Sequence, residues 1–201
     1  MTIFQSILLG IIQGLTEFIP VSSTAHLLIG QNLLGVESSP LVFSFLVIVQ
    51  LGTVLSLFIY FWHDLWKVVK DFLASLKNFR SFENFGSLPA NARLGWYIIF
   101  ATIPAASIGY FLRDTVEQLF RSPLLGASIR LFAAAILMTA AEKFSKHLRR
   151  LEEMNSADAF IIGTFQVLAI FPGASRSGTT ITGGMLRGLT REASARFAFL
   201  I

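Results

Sequence analysis

Cysteine is absent from the 201 residues, which excludes a disulfide scaffold, thiolate metal sites and a cysteine nucleophile. Charge is scarce: Asp, Glu, Lys and Arg make up 14% of the chain, whereas a soluble domain carries about 25%. The N-terminus has no basic n-region and no A-x-A cleavage site, so no cleavable signal peptide is evident. What the chain has instead is 54% apolar residues, 20 of them Phe, in charge-free runs too long for the core of a protein this size. Its net charge of +4 does not point to nucleic acid, because the cations fall between the apolar runs rather than along one polar face. The class is an all-α, polytopic membrane protein.

A helix needs about 20 apolar residues to cross the hydrocarbon. Leu41 to Trp62 and Leu94 to Leu112 contain no charge, and Ser122 to Ala141 contains only Arg130; these are three predicted spans. Pro104 and Gly109 are expected to kink the second. Two further apolar stretches are interrupted. Thr2 to Gly30 is broken by Glu17, Pro20 and Ser22-Ser23-Thr24, and Ala157 to Gly184 by Pro172-Gly173 and Ser175-Arg176-Ser177-Gly178. Each reads as two short helices around a polar break, hence a re-entrant hairpin or a broken helix.

Twelve loop and tail cations fall in 63–93, in 142–156 and after residue 186, against only Arg113 and Arg121 on the other side. The positive-inside rule therefore places 63–93 and 142–156 in the cytoplasm. Tyr60, Trp62, Trp66, Trp96 and Tyr97 are expected as interfacial anchors, and Trp66 to Phe82 as an amphipathic stretch along the inner membrane face.

Aligned on their prolines, Pro20-Val-Ser-Ser-Thr24 matches Pro172-Gly-Ala-Ser-Arg176, which sets Ser23 against Ser175. Downstream, Phe43-Ser-Phe-Leu46 matches Phe197-Ala-Phe-Leu200. Three spans lie between the breaks, and an odd number inserts the second hairpin from the opposite side. The expectation is one membrane domain over 1–201 built from inverted repeats, about 1–112 and about 123–201, with a site near the midplane. The second repeat would stop with the helix opening at Phe197 barely begun, its C-terminal part missing.

Ionisable groups at membrane depth cost at least about 2.5–3.5 kcal/mol each on insertion scales, so each needs a partner or a role. Glu17, His26, Arg130 and Arg176 qualify. Gln13 lies one turn before Glu17, on the same helix face. Ser22, Ser23 and Thr24 are N-cap residues for the helix after Pro20, and a helix N-terminus rich in hydroxyls suits an anion. Gly173 and Gly178 admit close backbone approach, while Ser175, Ser177, Thr179 and Thr180 add hydroxyls. The Arg176 fork matches a phosphate bidentately. The set suits phosphoryl transfer from an anhydride. Glu17 with Gln13 would hold a divalent cation (Mg²⁺ or Ca²⁺) or Glu17 would act as base, and a hydroxyl or a water would attack. The bland reading of the Glu17–Arg176 pair is a salt bridge holding two hairpins in register. Arg130 reads as structural or snorkelling, and Gln50 and Gln166 as helix–helix contacts.

Gln13-Gly-Leu-Thr-Glu-Phe-Ile-Pro-Val-Ser-Ser-Thr-Ala-His26 and Phe171-Pro-Gly-Ala-Ser-Arg-Ser-Gly-Thr-Thr180 resemble the undecaprenyl-diphosphate phosphatase family, also called bacitracin-resistance proteins. The resemblance implies hydrolysis of undecaprenyl diphosphate to the monophosphate and phosphate, recycling the lipid carrier of peptidoglycan synthesis. It also implies a bacterial inner-membrane location, bacitracin resistance and a divalent cation. The family's (Glu/Gln)-x-x-x-Glu motif falls on Gln13 and Glu17, its histidine on His26, and its Pro-Gly-x-Ser-Arg-Ser-Gly motif on Pro172 to Gly178. Catalysis then falls on Glu17 and His26, with Ser23 or Ser175 as nucleophile and Arg176 on the diphosphate. Gln13 replaces a glutamate found in many members. The partners expected are the diphosphate lipid and the bilayer, with a homodimer allowed. Two other functions compete: a flippase for a phosphorylated polyprenyl lipid, since broken helices in inverted repeats are a transporter architecture, and an acid phosphatase with paired histidines. The latter lacks a second histidine near an arginine, because His63 and His147 fall in loops.

Overall fold

A computed structural model of the chain describes residues 1–78, 82–119, 123–171 and 173–201. Arg80, Arg121, Ser122 and Pro172, all used in the sequence argument, lie outside the described residues. The described fold is all helical. Its nearest approach to a strand is an isolated parallel bridge between Arg149 and Leu189.

The first interrupted stretch forms α1 (Ile3–Glu17) and α2 (Ser23–Leu33). A capping box starts α1: the Thr2 hydroxyl accepts from Gln5 N at 3.2 Å and Gln5 Oε1 accepts from Thr2 N at 2.7 Å, pairing two donors no helix can satisfy internally. Pro20 disfavours helical backbone at the residue before it, so the chain leaves the helix and Ser22 restarts it. Leu9 of α1 and Leu27 of α2 are buried together, with Val42 and Leu46 of α3 (Pro40–Tyr60) closing over them.

After α3 come α4 (Trp62–Asn78), α5 (Ala90–Leu119) and α6 (Pro123–Phe144). Pro40–Tyr60 and Ala90–Arg113 are long and apolar enough to cross a membrane. The first two predicted spans thus correspond to α3 and α5, with α5 running on through Pro104, and the third stretch, Ser122 to Ala141, falls largely in the helix α6. Trp62 does not end the first span but opens α4, and His63 is the second residue of that helix rather than a loop residue.

The second interrupted stretch forms α7 (Ser156–Leu168) and α8 (Arg176–Leu186), followed by α9 (Arg191–Leu200). α7 packs so closely on α5 that a Cβ on Gly163 would sit 2.7 Å from the Cα of Ala101. At the base of α7, the buried Asp158 carboxylate takes Arg149 Nη2 at 2.6 Å and Arg187 Nε at 2.7 Å. Arg149 N also donates to Gly188 O at 2.9 Å and Thr190 N to Arg149 O at 2.8 Å, locking the 145–155 connection onto the α8–α9 turn. The Asp158 hydrogen bond holds the Arg149 guanidinium above its ordinary pKa. Farther out, Arg191 pairs with Glu142, and that hydrogen bonding lowers the Glu142 carboxyl.

Three expectations need correction. Tyr97 is no interfacial anchor: it is buried with Ala101, Ile162 and Phe197, and its hydroxyl donates to Met154 O at 2.9 Å. Trp96 packs its ring on Phe72 of α4 at 5.2 Å. Both lie on faces of α5 that other helices cover. Finally, the helix containing Phe197 does not open there. It starts at Arg191, where the Thr190 hydroxyl accepts from Ala193 N at 3.1 Å, and Phe197 is a fully buried mid-helix residue.

Candidate functional site

The two breaks meet. Gly178, in the first turn of α8, faces the carbonyl of Pro20, and a Cβ there would lie 3.3 Å from that oxygen and 2.9 Å from Ser175 Oγ. Around this contact opens a cleft of about 280 Å³ lined from both breaks: Glu17, Ser22, Ser23 and Thr24 on one side, Gly173, Ser175, Arg176 and Ser177 on the other. Gln50 and Val54 of α3, with residues 169–171 and Ala174, complete the wall; Gln50, expected only as a helix–helix contact, borders the site.

The same local device builds both sides. Ser22 (φ 65°, ψ 89°) and Ser175 (φ 49°, ψ 102°) hold left-handed backbone, which a non-glycine residue adopts only when its surroundings impose it. In each, the hydroxyl caps a helix, accepting from Ala25 N at 3.3 Å and from Gly178 N at 3.1 Å. As helix caps Ser22 and Ser175 correspond, whereas the proline-based alignment sets Ser23 against Ser175. Both hydroxyls are committed to capping. Gly173, at φ +91°, makes the turn before Ser175.

Glu17 is the hub. Its Oε2 accepts from Gln13 Nε2 at 2.9 Å and from Ser23 Oγ at 2.5 Å, while Arg176 Nη2 stands 3.5 Å from Oε1. The Ser23 contact has the length of a charge-assisted O–H···O⁻ bond; the Arg176 contact is long and single, leaving most of the guanidinium fork uncommitted among the described residues. The arginine side chain is 45% exposed against 16% for the glutamate. Gln13 is buried, and its Nε2 also donates to Thr53 Oγ1 at 3.2 Å. Its Oε1 is buried with no partner among the described residues.

His26 lies one turn into α2 with Nδ1 2.9 Å from Ser22 O. A carbonyl only accepts, so Nδ1 carries the proton and Nε2 is the nitrogen left for proton transfer. His26 is not among the residues lining the cleft. Nor are Thr179 and Thr180. Both are buried, and they donate to the backbone of α8 itself, Thr179 to Ser175 O at 3.1 Å and Thr180 to Arg176 O at 2.8 Å. Back-bonding of this kind takes up the hydroxyl protons within the helix. Gly178 sits where the two breaks touch.

A family model described as Bacitracin resistance protein BacA matches residues 6–201. The undecaprenyl-diphosphatase of Anaeromyxobacter sp. (strain K) is 45% identical over 202 residues, taking in 100% of this chain and 66% of that protein. The protein of the same name from Myxococcus xanthus (strain DK1622) is 42% identical, over 100% of this chain and 65% of its own length. That from Desulforudis audaxviator (strain MP104C) is 41% identical, over 98% and 70%. The chain spans just under two thirds of the length of the first two of these relatives. Because the match runs from within α1 to the end of α9 and includes both breaks with the cleft they form, the chain belongs to the bacitracin resistance protein BacA family.

Proposed function

We propose that the chain carries the catalytic cleft of an undecaprenyl-diphosphate phosphatase, releasing inorganic phosphate and returning undecaprenyl phosphate to peptidoglycan synthesis. The observation that carries the assignment is Ser23 Oγ lying 2.5 Å from Glu17 Oε2, with Arg176 across the cleft. A hydroxyl bonded to a carboxylate is a nucleophile with its base. Ser175, the other nucleophile considered, has its hydroxyl in a helix cap and no carboxylate partner among the described residues.

Arg176, with the N-termini of α2 and α8, binds the diphosphate. Glu17 takes the Ser23 proton as Oγ attacks the terminal phosphorus. The bond from that phosphorus to the bridging oxygen breaks, Glu17 returns the proton to the departing oxygen, and undecaprenyl phosphate leaves. Glu17 then activates water to cleave the phosphoserine, freeing phosphate and restoring the hydroxyl. His26, whose Nε2 is left without a proton when Nδ1 donates to Ser22 O and which does not line the cleft, takes no step in this sequence.

We infer a divalent cation held by Glu17 and substrate, as Mg²⁺ commonly takes one or two carboxylates with substrate phosphates completing its shell. Gln13 Oε1 is a buried oxygen with no partner among the described residues, though Gln13 does not line the cleft and no cluster of three His, Cys, Asp or Glu gathers among those residues. Bound at Glu17, the cation would offset the diphosphate charge. We infer inverted repeats about this cleft, with re-entrant hairpins in a bacterial inner membrane; the matched Ser22 and Ser175 caps support the repeat. Gln13 and Gln166 stand the same distance apart in sequence, and each buries an amide oxygen with no partner among the described residues.

Phosphate release from undecaprenyl diphosphate by the purified protein, beside translocation of the same lipid in vesicles, tests the assignment. Loss of release in Ser23→Ala and Glu17→Gln supports it. Unchanged release with failed translocation would establish the flippase instead.

A further inference from the structure

The long amphipathic helix α4 belongs to neither the cleft nor the bundle core, and its faces divide by chemistry. The helix α3 has 21 residues, about 31 Å of rise, enough to cross the hydrocarbon. Only Phe61 separates its end from α4, so α4 begins where the chain leaves the bilayer.

Trp62, Trp66, Val69, Leu73 and Leu76 are all exposed and recur at spacings of four and three, on one stripe of the helix. The indoles of Trp62 and Trp66 stack at 6.4 Å with 14° between their planes. Beside this stripe run Lys67, Lys70 and Lys77, all exposed. The two acids of the helix lie one turn either side of Lys67, away from the stripe, and both are engaged: Asp64 holds Arg196 at 2.6 Å and Asp71 accepts from Asn91 at 2.8 Å. The remaining face, with Val68 and Ser75 buried and Phe72 on Trp96, packs on α5. The helix is thus pinned to the protein on one side, with an apolar, tryptophan-bearing stripe and a lysine row adjoining it outside.

We propose that α4 is an interfacial anchor that selects anionic phospholipid. Its stripe enters the headgroup–acyl boundary, with the tryptophans at headgroup depth, and the three lysines engage the phosphodiester charges of lipids such as phosphatidylglycerol. Charge complementarity picks the occupant: a second copy of this face would bring lysine row against lysine row. The assignment stands whether or not the cleft hydrolyses a diphosphate.

The test uses the protein in nanodiscs of phosphatidylcholine containing brominated lipid, with the W62F/W66F double variant subtracting the Trp96 signal. Quenching of the Trp62–Trp66 component is expected to be stronger with bromines near the headgroup than with bromines near the chain end. Brominated phosphatidylglycerol is expected to outcompete brominated phosphatidylcholine at that pair. The preference should drop about fivefold for each lysine removed across K67Q, K70Q and K77Q and shrink at high salt. Tryptophans that neither bromine position quenches would mean that protein, a second copy included, covers the stripe. That outcome, or equal binding of the two lipids by the unaltered protein, overturns the proposal.

Discussion

Glu17 and Arg176 stand 159 positions apart in the chain and 3.5 Å apart in space, a contact made by two helix breaks that touch at Pro20 and Gly178. The looseness of that contact matters as much as its existence. A saturated bidentate pair would be a clamp between the halves of the chain, whereas a single long contact leaves an arginine fork that an anion can enter.

Ser23→Ala is expected to lower phosphate release by at least about 100-fold, the scale on which a positioned base and its partner act. Ser175→Ala should instead lose a helix cap, at about 1 kcal/mol of stability, and keep measurable turnover. Steady-state phosphate release and thermal melts of both variants in detergent check this pair; the reverse ordering would make Ser175 the nucleophile.

Arg176→Lys keeps the charge and discards the planar fork. Turnover over KM is expected to fall about tenfold or more, as one bidentate contact becomes a point contact. Rates equal to the unaltered protein would show that only charge is needed.

Gly163→Ala places a methyl against the backbone of Ala101, which no side-chain rotation relieves. The α5–α7 interface must shift, costing about 1–3 kcal/mol, and the melting temperature should drop accordingly. A melt unchanged from the parent would mean that α5 and α7 are farther apart than described.

Asp158→Asn leaves Arg149 and Arg187 without their counter-charge at a fully buried position. Removing one member of a buried pair costs 3–5 kcal/mol in full burial; with both guanidinium groups about a third exposed, about 1–2 kcal/mol is expected after solvent screening. The readout is thermal unfolding at two salt concentrations, with a smaller deficit at the higher one.

Much of this arrangement was legible in the sequence because its causes are local. Pro20 and the serines after it break one apolar stretch, and the Gly173–Gly178 segment breaks another, so both helix pairs could be placed from composition alone. The acid and the guanidinium stood out because membrane-depth charge is rare. What escaped depends on conformation or on distant contacts. The register of Ser22 with Ser175 is set by backbone dihedrals, which a proline match does not report. Asp158 looks like the polar edge of an apolar run until Arg149 and Arg187 fold onto it. Tyr97 carries an anchor's chemistry, and only the packing of α7 turns it inward. Thr179 and Thr180 carry a ligand's chemistry, but their own helix takes up their hydroxyls.

Since α2 and α8 both begin at the cleft, two positive helix ends and one guanidinium share a space of about 280 Å³. None of these handles distinguishes the terminal group of a lipid diphosphate from the free oxyanion that hydrolysis leaves behind. Discharge of spent phosphate would therefore work against the same attraction that draws substrate in.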